Sequence, residues 1–256
     1  MIDFIKTLAC DAGKLAHEHF GSLRPEDINT KKTVKDLVSV ADKAVEEKII
    51  SRIREKFPEH DIFGEETGSL GKSSDFCWVI DPIDGTQNFV KRIPHYSISI
   101  GLKHKGVPVA GCVYAPEMDM LFYAEQGKGA FENGKPIRIS DCSTLESALC
   151  ATGFACLRSN AEHNNLEYFN FISPQIRGIR RMGSAALDLC FVASGRVDAY
   201  WEMCLGEYDV AAGTIIAREA GAKVSSFTGE EIFPAADGIL CTVPALQKTF
   251  IELLKQ

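Results

Sequence analysis

The sequence predicts a layered α/β protein of two lobes sharing one chemical seam. Three observations carry that prediction. Apolar residues recur at helical spacing through the first sixty residues, a run of short β-rich segments with turn signals follows, and strands alternate with helices after about residue 145. The chain has 256 residues, 45% of them hydrophobic and 25% charged, enough for a sizeable core and needing no linker. The expected division is a single catalytic unit over 1–256, with an N-terminal lobe to about 143 and a C-terminal lobe from about 144.

Taken in order, Ile5, Leu8, Ala9, Ala12 and Leu15 mark a first helix, and Ala41, Val45, Ile49 and Ile53 place one face of a second between about Ser39 and Phe57. Between them Gly21 to Lys35 is polar, contains Pro25 and carries Arg24, Lys31, Lys32 and Lys35, and reads as a mobile surface loop. From Asp61 onward come short runs at Ile62-Phe63, Trp78 to Ile80, Tyr96 to Leu102, Val107 to Tyr114, Leu121 to Tyr123 and Ala130-Phe131. Lys105-Gly106, Ala115-Pro116 and the hairpin signal Glu132-Asn133-Gly134-Lys135 make them an antiparallel meander.

The C-terminal lobe reads as strands near Ala148 to Ala151, Ile176 to Arg180, Asp198 to Met203, Ala222 to Ser225 and Gly238 to Thr242. Helices are expected near Ala161 to Phe171, Ser184 to Ser194, Asp209 to Ala220 and from Ala245.

Charge and cysteines bound the setting. The formal charge of -7 disfavours a nucleic-acid partner, and no apolar run reaches the roughly 20 residues that span a bilayer. The N-terminus lacks a basic segment followed by an apolar block, and nine scattered cysteines without a C-x-x-C pair read as small buried hydrophobes, Cys77, Cys112 and Cys190 among them. Both point to a reducing cytoplasm.

The chemistry concentrates at Trp78-Val79-Ile80-Asp81-Pro82-Ile83-Asp84-Gly85-Thr86, where an apolar strand runs into two carboxylates on a proline-glycine turn. Pro82 keeps Asp81 extended, Gly85 lets backbone approach a ligand, and Thr86 is a natural helix N-cap. Asp81, Asp84 and the Ile83 carbonyl can converge on neighbouring hard cations, since Mg2+ takes a few oxygen ligands and leaves room for water and phosphate. An Asp-rich turn that closes a strand is the other reading of this segment alone.

Other segments are individually ambiguous. Gly64-Glu65-Glu66 follows a short strand, Ser39 and Asp42 sit at a helix start, Asp209 opens a helix rich in small residues, and Gly183-Ser184-Ala185-Ala186 opens another whose amides can hold a hydroxyl or phosphate oxygen. Each could be only a cap or a solvated pair. Arg177, Arg180 and Arg181 read as a solvated face or subunit contact, with contact to a second phosphate as the alternative. His17-Glu18-His19 resembles a metal pair, but residues two apart on a helix face different ways.

Together these segments resemble one family, the inositol monophosphatases, which are metal-dependent, lithium-sensitive phosphatases. The resemblance rests on Asp36 to Asp42 (D-x-V-[ST]-x-x-D), Gly64-Glu65-Glu66, Trp78 to Phe89 (W-V-I-D-P-I-D-G-T-x-N-F), Gly183 to Ala186, and Trp201 to Gly213 with Glu202, in the same order and spacing. It implies the α-β-α-β-α sandwich shared with fructose-1,6-bisphosphatase. It also implies that Glu65, Asp81 and the Ile83 carbonyl hold one Mg2+, that Asp81, Asp84 and Asp209 hold a second, and that Glu65 with waters supports a weaker third.

By the same resemblance Thr86 and Asp42 orient and deprotonate the attacking water, with Glu65 counted among the catalytic groups, and the Gly85 and Thr86 amides grip the phosphate. Gly183, Ser184, Ala185, Glu202, Asp84 and Asp209 line the side of the departing alcohol. The implied reaction is Mg2+-dependent hydrolysis of a small phosphate monoester, myo-inositol monophosphate first, by direct attack of water in a cytoplasmic homodimer with no nucleic-acid or membrane partner. A related phosphatase acting on fructose 1,6-bisphosphate, 3'-phosphoadenosine 5'-phosphate, NADP or histidinol phosphate is the alternative, and a scaffold protein retaining the fold is another. Two departures stand out: Ser39 replaces the threonine of many relatives, and Phe154 follows Thr152-Gly153 where vertebrate relatives carry a serine-rich loop, a bacterial feature that leaves the alcohol open.

Overall fold

The computed structural model describes residues 1–31, 37–71, 73–159, 161–231, 233 and 238–255. Lys32, Lys35 and Asp36, named above for the loop and the early motif, lie outside the described residues.

Two sheets organise the chain. The first has eight strands in the order Lys135–Pro136, Ala130–Glu132, Met120–Glu125, Val107–Ala115, Ser97–His104, Phe76–Asp84, Asp61–Gly64 and Gly68–Leu70. It is the expected antiparallel meander, except that Asp61–Gly64 runs parallel to Phe76–Asp84. The second has five strands in the order Gly178–Arg180, Leu149–Thr152, Ala199–Glu202, Ile239–Thr242 and Lys223–Ser225.

Helices fill the spaces around the sheets. Ile2–His19 and Val40–Lys56 bury Ile5, Leu8, Ile49 and Ile53 against Trp78 and Ile80 of the first sheet. Ala185–Ala193 and Glu207–Glu219 lie between the sheets, where Leu189 and Ile215 meet Val113 and Phe122 on one side and Tyr200 and Cys241 on the other. Pro244–Leu253 covers the far face of the second sheet, packing Phe250 with Trp201 and Leu240. Adjacent Tyr200 and Trp201 thus serve opposite cores, as strand alternation requires. The result is the expected α-β-α-β-α layering.

The inner helix Glu207–Glu219 is packed unusually close. A Cβ at Gly101 would lie 2.9 Å from Ala211 Cβ, one at Gly111 2.8 Å from Ala212 Cα, and one at Gly213 2.6 Å from Leu189 Cδ1. Small residues on strand and helix therefore let the backbones approach, which fixes the height of Asp209 in the helix's first turn.

The structure differs from expectation at several points. The polar stretch after Gly21 contains a 3₁₀ turn at Pro25–Asp27 and a strand Ile28–Thr30 paired with Leu37–Ser39, so part of it is built structure. Within the helix expected over Ala161 to Phe171 the structure forms Leu166–Ile172, starting five residues late, and a separate short helix Ala155–Arg158 precedes the expected range. Buried Asn165, at the N-cap position, accounts for the late start: its Nδ2 donates to Thr152 Oγ1 and Gly153 O at 2.8 and 2.6 Å, and its Oδ1 accepts from Trp201 Nε1 at 2.8 Å. Such a polar hub overrides local periodicity.

All nine cysteines are free; Cys112 and Cys190 are buried as expected, whereas Cys77 is half-buried and Cys204 exposed. No helix among the described residues is long and apolar enough to cross a membrane.

Candidate active site

The strand Phe76–Asp84 delivers the site from its carboxyl end. There Ile83 N donates to Asp81 Oδ1 at 3.0 Å, and the strand's register with Ser97–His104 shifts between Asp81 and Asp84, which turns both carboxylates out of regular alternation. Gly85 has φ +98, and a Cβ there would stand 3.1 Å from both Gly183 O and His95 O, so strain and space both demand glycine. Asn88 Nδ2 clamps the turn by donating to His95 O at 2.7 Å and Met182 O at 2.8 Å.

Gly85, not Thr86, is the N-cap of the short helix Thr86–Val90. The left-handed Gly85 moves Thr86 into the first helical position and frees its hydroxyl, which lies 3.3 Å from Asp42 Oδ1 and 3.2 Å from Ile83 O. Asp42 is buried at the start of Val40–Lys56 in a capping box, where its Oδ2 accepts from Ser39 N at 2.8 Å and Ser39 Oγ at 2.6 Å. The expected N-cap Ser39 is thus also a support for Asp42, and its hydroxyl is the part that matters. Burial pushes the Asp42 carboxyl up to about 6 against those two hydrogen bonds.

Three carboxylates converge: one oxygen from each of Asp81, Asp84 and Asp209 lies within 4.8 Å of the others. Asp84 is held from the second lobe, its Oδ2 accepting from Ser184 Oγ at 2.6 Å and Ala186 N at 2.8 Å, and its Oδ1 from Ala185 N at 3.3 Å. The helix-start amides read as available for a ligand are therefore engaged by a carboxylate. Asp209 Oδ2 accepts from Gly206 N at 2.6 Å, so it caps its helix while keeping its other oxygen for the cluster.

Glu65 stands at the carboxyl end of Asp61–Gly64, its amide bonded to Ile80 O at 3.1 Å. Lys31 Nζ contacts Glu65 Oε1 at 2.7 Å, while the buried Glu65 Oε2 has no hydrogen-bond partner among the described residues. Behind it, Glu46 Oε1 accepts from Glu66 N at 3.1 Å, in space that a Cβ at Gly64 would fill.

This donor set fits Mg2+. Burial first, then the neighbouring Glu65, Asp84 and Asp209 charges, push Asp81 well above the usual carboxylate range; burial and Asp84 do the same to Asp209. Asp84 rises to about 7 through burial, although Ser184 and the Ala185 and Ala186 amides pull it down. Like charges crowded in low dielectric are unfavourable unless a hard cation offsets them, and all the donors are oxygen, including the orphaned Glu65 Oε2.

The same cleft, of about 510 Å3, is bordered by Ile83, Gly85, Thr86, Gly183, Ala185 and Glu202 as well as the metal-type carboxylates. Glu202 is buried in its wall, accepting from Ala155 N at 2.9 Å and Tyr200 OH at 2.8 Å. A Cβ on Gly153 would fall 2.0 Å from Glu202 Oε2, so glycine there makes room for the carboxylate. Phe154 turns its ring to Phe169 at 5.6 Å. Every predicted site residue thus reaches this region, Ser184 through Asp84 and Asp42 through Thr86.

Among the cleft residues that went unpredicted as site residues are Lys31, Gly153, Arg158 and Arg181. Arg181 was visible only as one of three clustered arginines, of which Arg180 instead donates to its neighbour Ile179 O. His17 is exposed with its Nδ1 2.6 Å from Glu117 Oε1, in line with a surface role.

Comparison with known proteins agrees along the whole chain. The sequence model for "Inositol monophosphatase family" matches residues 1–256. The protein named Inositol-1-monophosphatase from Synechocystis is 41% identical over 218 residues, 85% of this chain and 76% of that one. The Nus factor SuhB of Pseudomonas aeruginosa is 40% identical over 238 residues, 91% of this chain and 88% of the relative. Among solved structures, the inositol monophosphatase from Anabaena superposes with a TM-score of 0.90 at 38% identity, covering 100% of this chain and 95% of that one.

Proposed function

The chain belongs to the inositol monophosphatase family, and on that premise we propose that it is a Mg2+-dependent phosphomonoesterase whose first substrate is myo-inositol monophosphate. The observation that carries this reading is the meeting, in one cleft, of the Asp81, Asp84 and Asp209 oxygens with the Thr86–Asp42 pair and the orphaned Glu65 oxygen. Two or three Mg2+ ions held by Glu65, Asp81, the Ile83 carbonyl, Asp84 and Asp209 would supply an acidified water and charge neutralisation at the departing oxygen.

The protein's own groups do the rest. Thr86 Oγ1 hydrogen-bonds the attacking water and passes its proton toward Asp42, whose anchoring by Ser39 keeps one oxygen facing Thr86. The Gly85 and Thr86 amides hold phosphate oxygens at the positive end of the turn, beyond the backbone curve that φ +98 creates. On the alcohol side Glu202 receives hydroxyls beside the Gly183 to Ala185 segment, whose Ser184 hydroxyl and Ala185 amide hold Asp84, with Asp84 and Asp209 at the boundary. Proton transfer to the leaving oxygen completes the hydrolysis without a covalent intermediate.

We read the chain as acting in the cytoplasm as a homodimer, with the metal ligands mostly before residue 143 and the alcohol pocket after it. The test is direct: purified protein with Mg2+ releases phosphate from inositol 1-phosphate, and Asp84→Asn abolishes release while circular dichroism stays native. An Asp84→Asn protein as active as wild type would refute the metal assignment. A panel of sugar and nucleotide phosphates compared by kcat/KM decides the alcohol.

The relatives named Nus factor SuhB favour a second reading, a regulatory role carried by the same fold. Its signature is a cellular function that survives in the Asp84→Asn protein. Loss of that function together with catalysis refutes it.

A further inference from the structure

We propose that Asn165, which lies behind the cleft wall, is a positioning residue that sets the preference for hydroxyl-bearing alcohols by fixing the seat of Glu202. The inference rests on the phosphatase reading above, with Glu202 as the group that receives hydroxyls.

Asn165 is fully buried at the N-cap position of Leu166–Ile172, yet its side chain does not cap that helix. Asparagine is a favoured cap, so the side chain has been withdrawn from its ordinary use. Its Nδ2 donates instead to Thr152 Oγ1 at 2.8 Å and to Gly153 O at 2.6 Å, and its Oδ1 accepts from Trp201 Nε1 at 2.8 Å. A buried amide is costly unless bonded, and here both amide protons and the oxygen are engaged.

Those partners surround the place where two parallel strands part. Thr152 and Trp201 stand opposite one another in Leu149–Thr152 and Ala199–Glu202, and Thr152 Oγ1 donates to Trp201 O at 2.6 Å. One residue further on, the chains diverge into Gly153 and Glu202, which both line the cleft. A Cβ on Gly153 would fall 2.0 Å from Glu202 Oε2, so the carboxylate rests directly on that backbone. Two residues beyond, Ala155 N donates to Glu202 Oε1 at 2.9 Å, while Tyr200 OH holds Oε2 at 2.8 Å. Asn165 N reaches the same strip again, donating to Cys156 Sγ at 3.3 Å.

Glu202 is therefore aimed by one donor on its own strand and one on the strip from Thr152 to Cys156. Asn165, from a third element, is bonded to both strip and strand. A site group has to be held within roughly 0.5 Å of its working position, and side-chain bonds behind it supply that precision. Without the grip on Gly153 O the strip can move away from Trp201, and Ala155 N takes Glu202 Oε1 with it. The metal-type carboxylates hang on other supports: Asp84 on Ser184, Ala185 and Ala186, and Asp209 on Gly206. Loss of Asn165 should thus fall on recognition of the alcohol and spare the phosphoryl chemistry.

The test uses esters with and without hydroxyls: inositol 1-phosphate against cyclohexyl phosphate, and glycerol 1-phosphate against propyl phosphate. With Mg2+-loaded full-length protein, the wild type should prefer the hydroxyl-bearing member of at least one pair by about tenfold in kcat/KM. Asn165→Asp keeps the side chain's shape and loses both donations. It should reduce that preference several-fold, with the hydroxyl-free ester hydrolysed at nearly the wild-type rate. Added to Glu202→Gln, the same substitution should hardly change the preference, because the two residues act in series.

Equal losses on both members of each pair would show a merely structural residue and overturn the proposal. An unchanged preference overturns it too, as do losses that multiply in the double variant. A wild type without preference in either pair sinks it as well, since Glu202 then reads no hydroxyl. A wild type that hydrolyses none of the four esters refutes the phosphatase reading itself, and the proposal with it. Circular dichroism confirms that each variant is folded. If Asn165→Asp is not, Thr152→Val carries the comparison: it removes one of the same bonds at nearly constant shape and should move the preference the same way by a smaller factor.

Discussion

Ser184 Oγ donates to Asp84 Oδ2 at 2.6 Å, and the same hydroxyl oxygen accepts from Leu187 N at 3.4 Å. One side chain therefore caps a helix lying between the sheets and fixes a carboxylate that leaves the first sheet. It is the shortest of the links between the turn and the helix start.

Removing that hydroxyl should act on stability and metal affinity together. Ser184→Ala leaves a buried carboxylate oxygen short of its strongest donor, at a cost on the order of 1–3 kcal/mol. The loss also raises the Asp84 proton affinity, since this bond favours the charged form. Thermal unfolding with and without Mg2+ should show a lower midpoint and a Mg2+ titration displaced several-fold to higher concentration. An unchanged titration refutes the link.

The raised carboxyls predict an unusual pH response of the chelated protein. Asp42 near 6 and Asp84 near 7 retain protons in the folded state that the unfolded chain releases above about pH 4. The folded state binds more protons across that window, so stability should fall as pH rises from about 4 to about 7 and then level off. Mg2+ should stabilise more at pH 8 than at pH 5. Urea unfolding in EDTA across the range measures the slope, and a rising slope contradicts the assignment.

Thr86 and Asp42 should behave as one unit. Thr86→Val and Asp42→Asn each should lower kcat by about a hundredfold or more, and the double variant should be hardly worse than either single one. Multiplying losses would show that the 3.3 Å contact between them is not part of proton transfer.

Much of this could be read from the chain because the key residues are contiguous in sequence. Asp81 to Thr86 announces its own backbone geometry through proline and glycine, and the helix of Asp209 announces itself through small residues. The bond between Ser184 and Asp84 joins residues a hundred positions apart, and neither residue's local pattern encodes it. Gly85 displaced Thr86 as N-cap because a left-handed residue was needed before the helix, which helix-start statistics for threonine do not express. Asn165 delayed the start of a predicted helix through partners on two distant strands, and Arg181 was hidden among arginines that differ only in which way the fold turns them.

The close seating of Glu207–Glu219 against Gly101 and Gly111 has a consequence for how this protein can change over generations. The helix that fills the space between the sheets also carries Asp209 in its first turn, so interior and chemistry share one part. A methyl group added at Gly111 needs no contact with the cleft to disturb it, because the whole helix must rise and take its carboxylate along. A substitution that retunes the substrate without moving Asp209 is therefore expected at the cleft rim and not in the middle layer.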